Sequence, residues 1–145
     1  MDTLPILLSF AFALVMTGVI WTVQLAIYPL FRDIPPPAFV AYHQRYTFWI
    51  SCIVVPVMVM EAVCALWLLI RITTYSGYGA IIGAATALLV VNLLSTFFIL
   101  VPQHNRLHEG FDRPTHRMLV RANWIRTAGW TSRSILLGVL LYALN

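Results

Sequence analysis

Residues 48–70 read FWISCIVVPVMVMEAVCALWLLI, an apolar run interrupted by one charge, Glu61, and one proline, Pro56. About 20 apolar residues in a helix cross the hydrocarbon core of a bilayer, so this stretch reads as a membrane span. Three further runs qualify: Leu4 to Leu30, Gly79 to Pro102 and Met118 to Leu144. They take up most of the 145 residues, of which 61% are hydrophobic and 10% charged. A soluble domain of this length does not carry so much apolar side chain. The expected fold is all-α, a transmembrane four-helix bundle forming a single integral membrane domain over residues 1–145. Its helices are expected at about 4–31, 38–70, 79–108 and 115–144.

The first run has no Arg or Lys before it and is too long for a signal h-region, so it is expected to stay as a helix. Pro29 precedes the segment Asp33-Ile34-Pro35-Pro36-Pro37, which blocks helix continuation and makes a short, stiff first loop. Tyr75 to Gly79 reads as the second turn, and Gly110 to Pro114 as the third. Pro56 predicts a kink in helix two, and helix three is expected to run past Pro102. Every basic residue is Arg. Arg32 and Arg45 flank loop one, Arg106, Arg113, Arg117 and Arg121 surround loop three, and loop two has Arg71 alone. Positive residues favour the cytoplasmic side. Both termini are therefore expected on the outer side and loops one and three in the cytoplasm, with the bacterial inner membrane as the expected location. The net charge of +4 fits that topology and anionic lipid headgroups, with no nucleic acid as partner. Cys52 and Cys64 lie roughly 18 Å apart along one helix and cannot pair.

Polar side chains are costly in hydrocarbon and normally face the bundle interior. Each helix carries such a seam: Thr17, Trp21, Gln24 and Tyr28; His43, Thr47 and Glu61; Asn92, Thr96 and Gln103; His116, Asn123, Arg126, Trp130 and Arg133. With 1.5 Å of rise per residue, Gln24, Asn123 and Arg126 lie roughly 9, 7 and 12 Å deep from the loop-one and loop-three end. Glu61 and Arg133 both come out roughly 20 Å deep, and their opposite charges predict a structural ion pair.

His43, His104, His108 and His116 are all expected at that same end. Imidazole is the commonest protein metal ligand, and the i, i+4 spacing of His104 and His108 puts both rings on one helix face. The four form a candidate metal set for a transition metal: iron, copper or zinc. Haem is the alternative, held by histidines of different helices such as His43 and His104. For any one histidine, an interfacial residue bonding headgroups and loop carbonyls is the plainer reading. Arg126 with Asn123 is a candidate site for an anion, a quinone carbonyl or an enolate-like oxygen, against an Arg126 that snorkels to the cytoplasm. Tyr46 is the candidate proton donor. Gln24, Tyr28, Trp124 and Trp130 are candidate substrate contacts, the tryptophans as walls of an aromatic-binding cavity or simply as packing.

Val101-Pro102 with Asn105 and Leu107, and Asn123-Trp124-Ile125-Arg126 early in helix four, resemble the anthrone-oxygenase-like family of small four-helix membrane proteins. So does the order of parts, a first helix ending near Tyr28-Pro29, then Phe39, then helix two. The resemblance covers most of the chain as architecture, on short motifs. It implies an integral membrane protein that oxidises a polyketide-like aromatic, with Asn105, Asn123 and Arg126 as site residues. The expected function is a metal-dependent membrane oxidoreductase or oxygenase whose partners are membrane lipid and a lipophilic aromatic or quinone-like small molecule. A haem-binding electron-transfer module, a small transporter and a structural subunit of a membrane complex are the alternatives. Gly83, Ala84, Ala85 and Ala87 offer a small-residue surface for packing against another subunit, including a homo-oligomer.

Overall fold

The computed structural model describes residues 3–144, and all regular structure among them is helical. Four rods follow in order: α1 (Leu4–Asp33), α2 (Pro36–Ile70), α3 (Gly79–Leu107) and α4 (Arg113–Ala143). A 3-10 turn at Ile72–Tyr75 lies between α2 and α3.

The prolines act differently from expectation. Pro36 and Pro37 open α2 instead of preceding it, because the first turn of a helix needs no N–H and proline's fixed φ suits it. Pro29 does not end α1. The chain widens into a π-turn at Val23–Ile27, passes Pro29 and closes with a 3-10 turn at Phe31–Asp33. A second π-turn, Thr96–Leu100, stands in the same relation to Pro102 in α3. Proline lacks a donor and its ring crowds the carbonyl four residues back. A π-turn re-spaces those carbonyls and rotates everything beyond it. Pro56 stands inside an unbroken α2. Gln24 belongs to the first π-turn and Trp21 is partly exposed, so the seam read along α1 is not one straight face.

α4 begins at an Asp112 cap, whose Oδ2 accepts the Thr115 N–H at 2.9 Å and the Thr115 hydroxyl. α4 packs most closely on α1 and α3, α1 packs on α2, and α2 meets α3 least. The bundle is thus a ring with one loose seam. α1, α2 and α3 are long and apolar enough to cross a membrane. α4 is less apolar because Arg117, Arg121, Arg126 and Arg133 punctuate it, and its His116, Asn123, Arg126, Thr127 and Arg133 are buried against its neighbours. Large apolar side chains such as Leu25, Phe48, Trp49, Leu66 and Phe98 point outward on the other three helices, as contact with lipid requires.

Apolar layers fill the interior, one around Ile6, Leu68, Tyr75 and Leu137, another around Met16, Met58 and Trp130, and a third around Tyr28, Phe31, Phe39 and Leu107. Between α3 and α4 the backbones come close at Gly129, where the carboxamide of buried Asn92 occupies the space a Cβ would take.

Gly129→Ala should therefore force Asn92 aside and cost about 1–3 kcal/mol, read as a lower unfolding midpoint in detergent. The two Thr115 bonds hold the Asp112 carboxyl below the usual carboxylate range. A depressed pKa gives stability that is present above the unfolded value of about 3.9 and is lost as the pH falls through the folded value. Asp112→Ala should lower the melting temperature at pH 7, and the difference from the parent should close toward pH 3.

Candidate functional site

The end of the bundle where α1 leads into α2 and α3 into α4 gathers most of the polar side chains predicted for the site. His43 comes from α2 and His104 and His108 from α3. His43 Nε2 lies 3.0 Å from His104 Nδ1, and His104 Nε2 lies 3.0 Å from the Tyr28 hydroxyl. These contacts form a continuous chain, Tyr28–His104–His43, across three helices. A neutral imidazole has one donor and one acceptor nitrogen, so a proton moved at Tyr28 can be relayed through His104. His43 Nδ1 is buried and has no hydrogen-bond partner among the described residues. The His43 ring stacks on Phe39 at 5.4 Å and meets the edge of Phe31 at 5.4 Å.

His108 and His116 have other duties. The Thr47 hydroxyl lies 3.0 Å from the carbonyls of His43 and Gln44 and donates to them, so it accepts from His108 Nε2 at 3.0 Å. His116 Nε2 donates to the Tyr28 carbonyl at 2.7 Å, fastening α4 to the end of α1. The expected four-histidine metal set is therefore divided. His43, His104 and His108 cluster while His116 turns away, and no group of three or more His, Cys, Asp or Glu among the described residues is arranged to hold a metal ion. The nitrogens that converge most closely, on His43 and His104, are fewer than the three protein ligands of a catalytic zinc site. At 3.0 Å apart they also cannot stand on opposite faces of a porphyrin.

A second group lies deeper. Asn123 Nδ2 donates to Gln24 Oε1 at 2.8 Å, Gln24 Nε2 reaches the Val120 carbonyl at 3.4 Å, and Arg126 Nη1 reaches Asn123 Oδ1 at 3.4 Å. Arg126 does not snorkel outward. It is 6% exposed, its guanidinium lies 5.0 Å from the Trp130 ring centre, and its Nε has no partner among the described residues. Asn123 is committed to Gln24 and serves to orient Arg126.

Arg126 borders a cavity of about 140 Å³ shared with Tyr28, Tyr46 and His104 and otherwise walled mostly by apolar side chains, among them Val23, Val54, Met58 and Leu100, with the hydroxyls of Ser51 and Thr96. Next to it runs an open groove of about 720 Å³ along the α2–α3 seam, past Phe48, Ser51, Cys52, Pro56, Asn105 and His108. The two share Ile50, Ser51, Val55, Val101 and His104.

Of the residues predicted to touch substrate, Tyr28, Tyr46 and Arg126 line the cavity, Gln24 and Asn123 stand behind Arg126, and Asn105 lies on the outer groove. Trp124 is 46% exposed with its ring against Trp21. One residue past Asn123 turns about 100° around the helix, so Trp124 cannot share its inward face. Trp130 is buried, and its Nε1 donates to Glu61 Oε2 at 2.6 Å. Sequence reasoning missed the Thr47 partner of His108 and the Phe31–Phe39 box around His43. The tight prolines at 29 and 102 were the available signal for the π-turns that aim Tyr28 and His104 at each other.

Glu61 and Arg133 meet in mid-bundle. Arg133 Nε donates to Glu61 Oε1 at 3.2 Å, both side chains are buried, and Arg133 Nη1 donates to the Ala85 carbonyl. Glu61→Gln strands the arginine and should cost about 3–5 kcal/mol. The double variant Glu61→Met with Arg133→Met should recover most of that loss, measured by chemical unfolding in detergent.

No protein family, curated protein or solved structure is found to match the chain.

Proposed function

We propose that the protein is an integral membrane oxidoreductase of oxygenase type that takes a lipophilic aromatic or quinone-like molecule from the bilayer. The observation that carries this reading is Arg126, a buried cation that borders a largely apolar cavity beside Tyr28, Tyr46 and His104. A buried charge costs free energy unless polar groups face it, and an oxygen on a bound ring supplies one.

The roles follow from position. Substrate enters along the α2–α3 seam, where the helices are least tied together. Its ring oxygen faces Arg126, which stabilises negative charge as it develops. The Tyr28–His104–His43 chain takes the proton, with Tyr46 as a second hydroxyl in reach of the cavity. The electron-rich anion left behind is the species that dioxygen or a redox partner oxidises. In this reading the histidines act through their hydrogen bonds to one another, to Tyr28 and to Thr47. The resemblance to anthrone-oxygenase-like membrane proteins supports oxidation of an aromatic ring in a membrane setting. The arginine distribution places loops one and three in the cytoplasm in this proposal.

Dioxygen uptake by the purified protein with phenolic, quinol and anthrone-type compounds tests the reading. Arg126→Gln should lower the rate about a hundredfold, and Tyr28→Phe should lower it while leaving ligand binding intact. Equal rates in parent and Arg126→Gln would remove the proposed site. Elemental analysis belongs with that assay: a stoichiometric metal that disappears in His43→Ala would restore a metal-dependent reaction.

A further inference from the structure

The volume and shape of the site narrow what it can hold. An apolar protein cavity of about 150 Å³ admits one benzene ring, and the cavity at Arg126 is about 140 Å³. One six-membered ring fits it and three fused rings do not. Arg126, Tyr28, Tyr46 and His104 supply most of its polar lining, with the hydroxyls of Ser51 and Thr96, and the rest is apolar, including Val54, Met58 and Leu100. The ring that suits this lining turns one oxygen toward Arg126.

Anything attached to that ring has to leave by the groove. Cavity and groove share Ile50, Val55, Val101 and His104, so the two spaces are continuous. The rim of the opening is set by Val55, 54% exposed, and Phe97, 62% exposed. They stand on two helices that are long and apolar enough to cross a membrane. A substituent lying there is surrounded by apolar side chains on one side and acyl chains on the other. The groove, about 720 Å³, is far larger than the ring cavity.

We propose that the molecule bound here is an amphiphile with a single oxygen-bearing aromatic or quinoid ring and a hydrocarbon tail, the ring at Arg126 and the tail along the α2–α3 groove. This rests on the function proposed above and narrows its substrate from lipophilic aromatics in general to tailed single rings.

The test uses the full chain in detergent, with ligand concentrations referred to the detergent phase so that partitioning cancels. Three probes are compared by their quenching of tryptophan fluorescence: a methylated 1,4-benzoquinone, the same ring with a decyl tail, and anthraquinone as the three-ring compound. On that detergent-phase scale the decyl compound should bind about threefold tighter than the bare ring, through packing contacts of its tail in the groove, and the three-ring compound should bind weakest. The groove also carries its own handle, because Cys52 is exposed on it while Cys64 is buried. Alkylating Cys52 in the folded protein with a bulky maleimide should abolish the gain from the tail and leave the bare ring bound. Cys52→Ser treated with the same reagent should keep the gain.

A bare ring that binds with no gain from its tail, a gain that survives alkylation, or three fused rings binding as tightly as one would each overturn the amphiphile. Failure of the bare ring to bind, or binding unchanged in Arg126→Gln, would instead overturn the site on which both proposals stand.

Discussion

Arg133 in mid-bundle is the constraint around which the other helices arrange themselves. A guanidinium at that depth is intolerable against lipid, so α4 has to be enclosed. Glu61 supplies the opposite charge from α2, Trp130 donates to the same carboxylate, and the Ala85 carbonyl of α3 accepts from the arginine. These bonds tie three helices at one level. Close approach at Gly129, with Asn92 laid against it, seals the α3–α4 contact. α1 covers another flank of α4, where Thr17 and Ser134 hydroxyls lie 2.9 Å apart. Three apolar helices thereby shelter one polar helix. With α4 gripping α1 and α3, the place where α2 and α3 should close is left loosely packed, and that seam is where the groove opens.

The second organising element is the pair of prolines. Helices α1 and α3 each widen into a π-turn before a proline and continue beyond it. π-turns inside α-helices are frequent at functional sites, and here each presents one working side chain, Tyr28 just after the first and His104 shortly after the second. The resulting 3.0 Å contact between them begins the hydrogen-bonded chain Tyr28–His104–His43. Thr47 and the Tyr28 carbonyl engage His108 and His116, so these two histidines define the shape of the site more than its chemistry.

The number of helices, and the membrane-spanning length and apolarity of three of the four expected spans, could be read from run length and composition, since both depend on local hydrophobicity; the fourth, α4, is less apolar than the reading of its run implied. The matched depth of Glu61 and Arg133 was also legible, because rise per residue is constant along a helix. The site was legible only in part. Tyr28, Tyr46 and Arg126 were named and border one cavity. Trp124 was named as a cavity wall for its aromatic ring alone, yet adjacent helical residues point about 100° apart, and it does not share the inward face of Asn123. His116 was grouped with the other histidines by depth alone, and depth says nothing of direction around a helix axis.

Hydrophobic run length and the placement of charge decide that this chain is helical and suited to a membrane, because burial of apolar length and exclusion of unpaired charge act locally along the chain. Which side chains converge was decided only by tertiary structure. The π-turns rotate the ends of α1 and α3 by an amount no hydropathy pattern records. The order of helices around α4 then sets which faces oppose one another. Together they bring residues 28, 43 and 104 within hydrogen-bonding distance and set Arg126 beside a cavity the size of one ring.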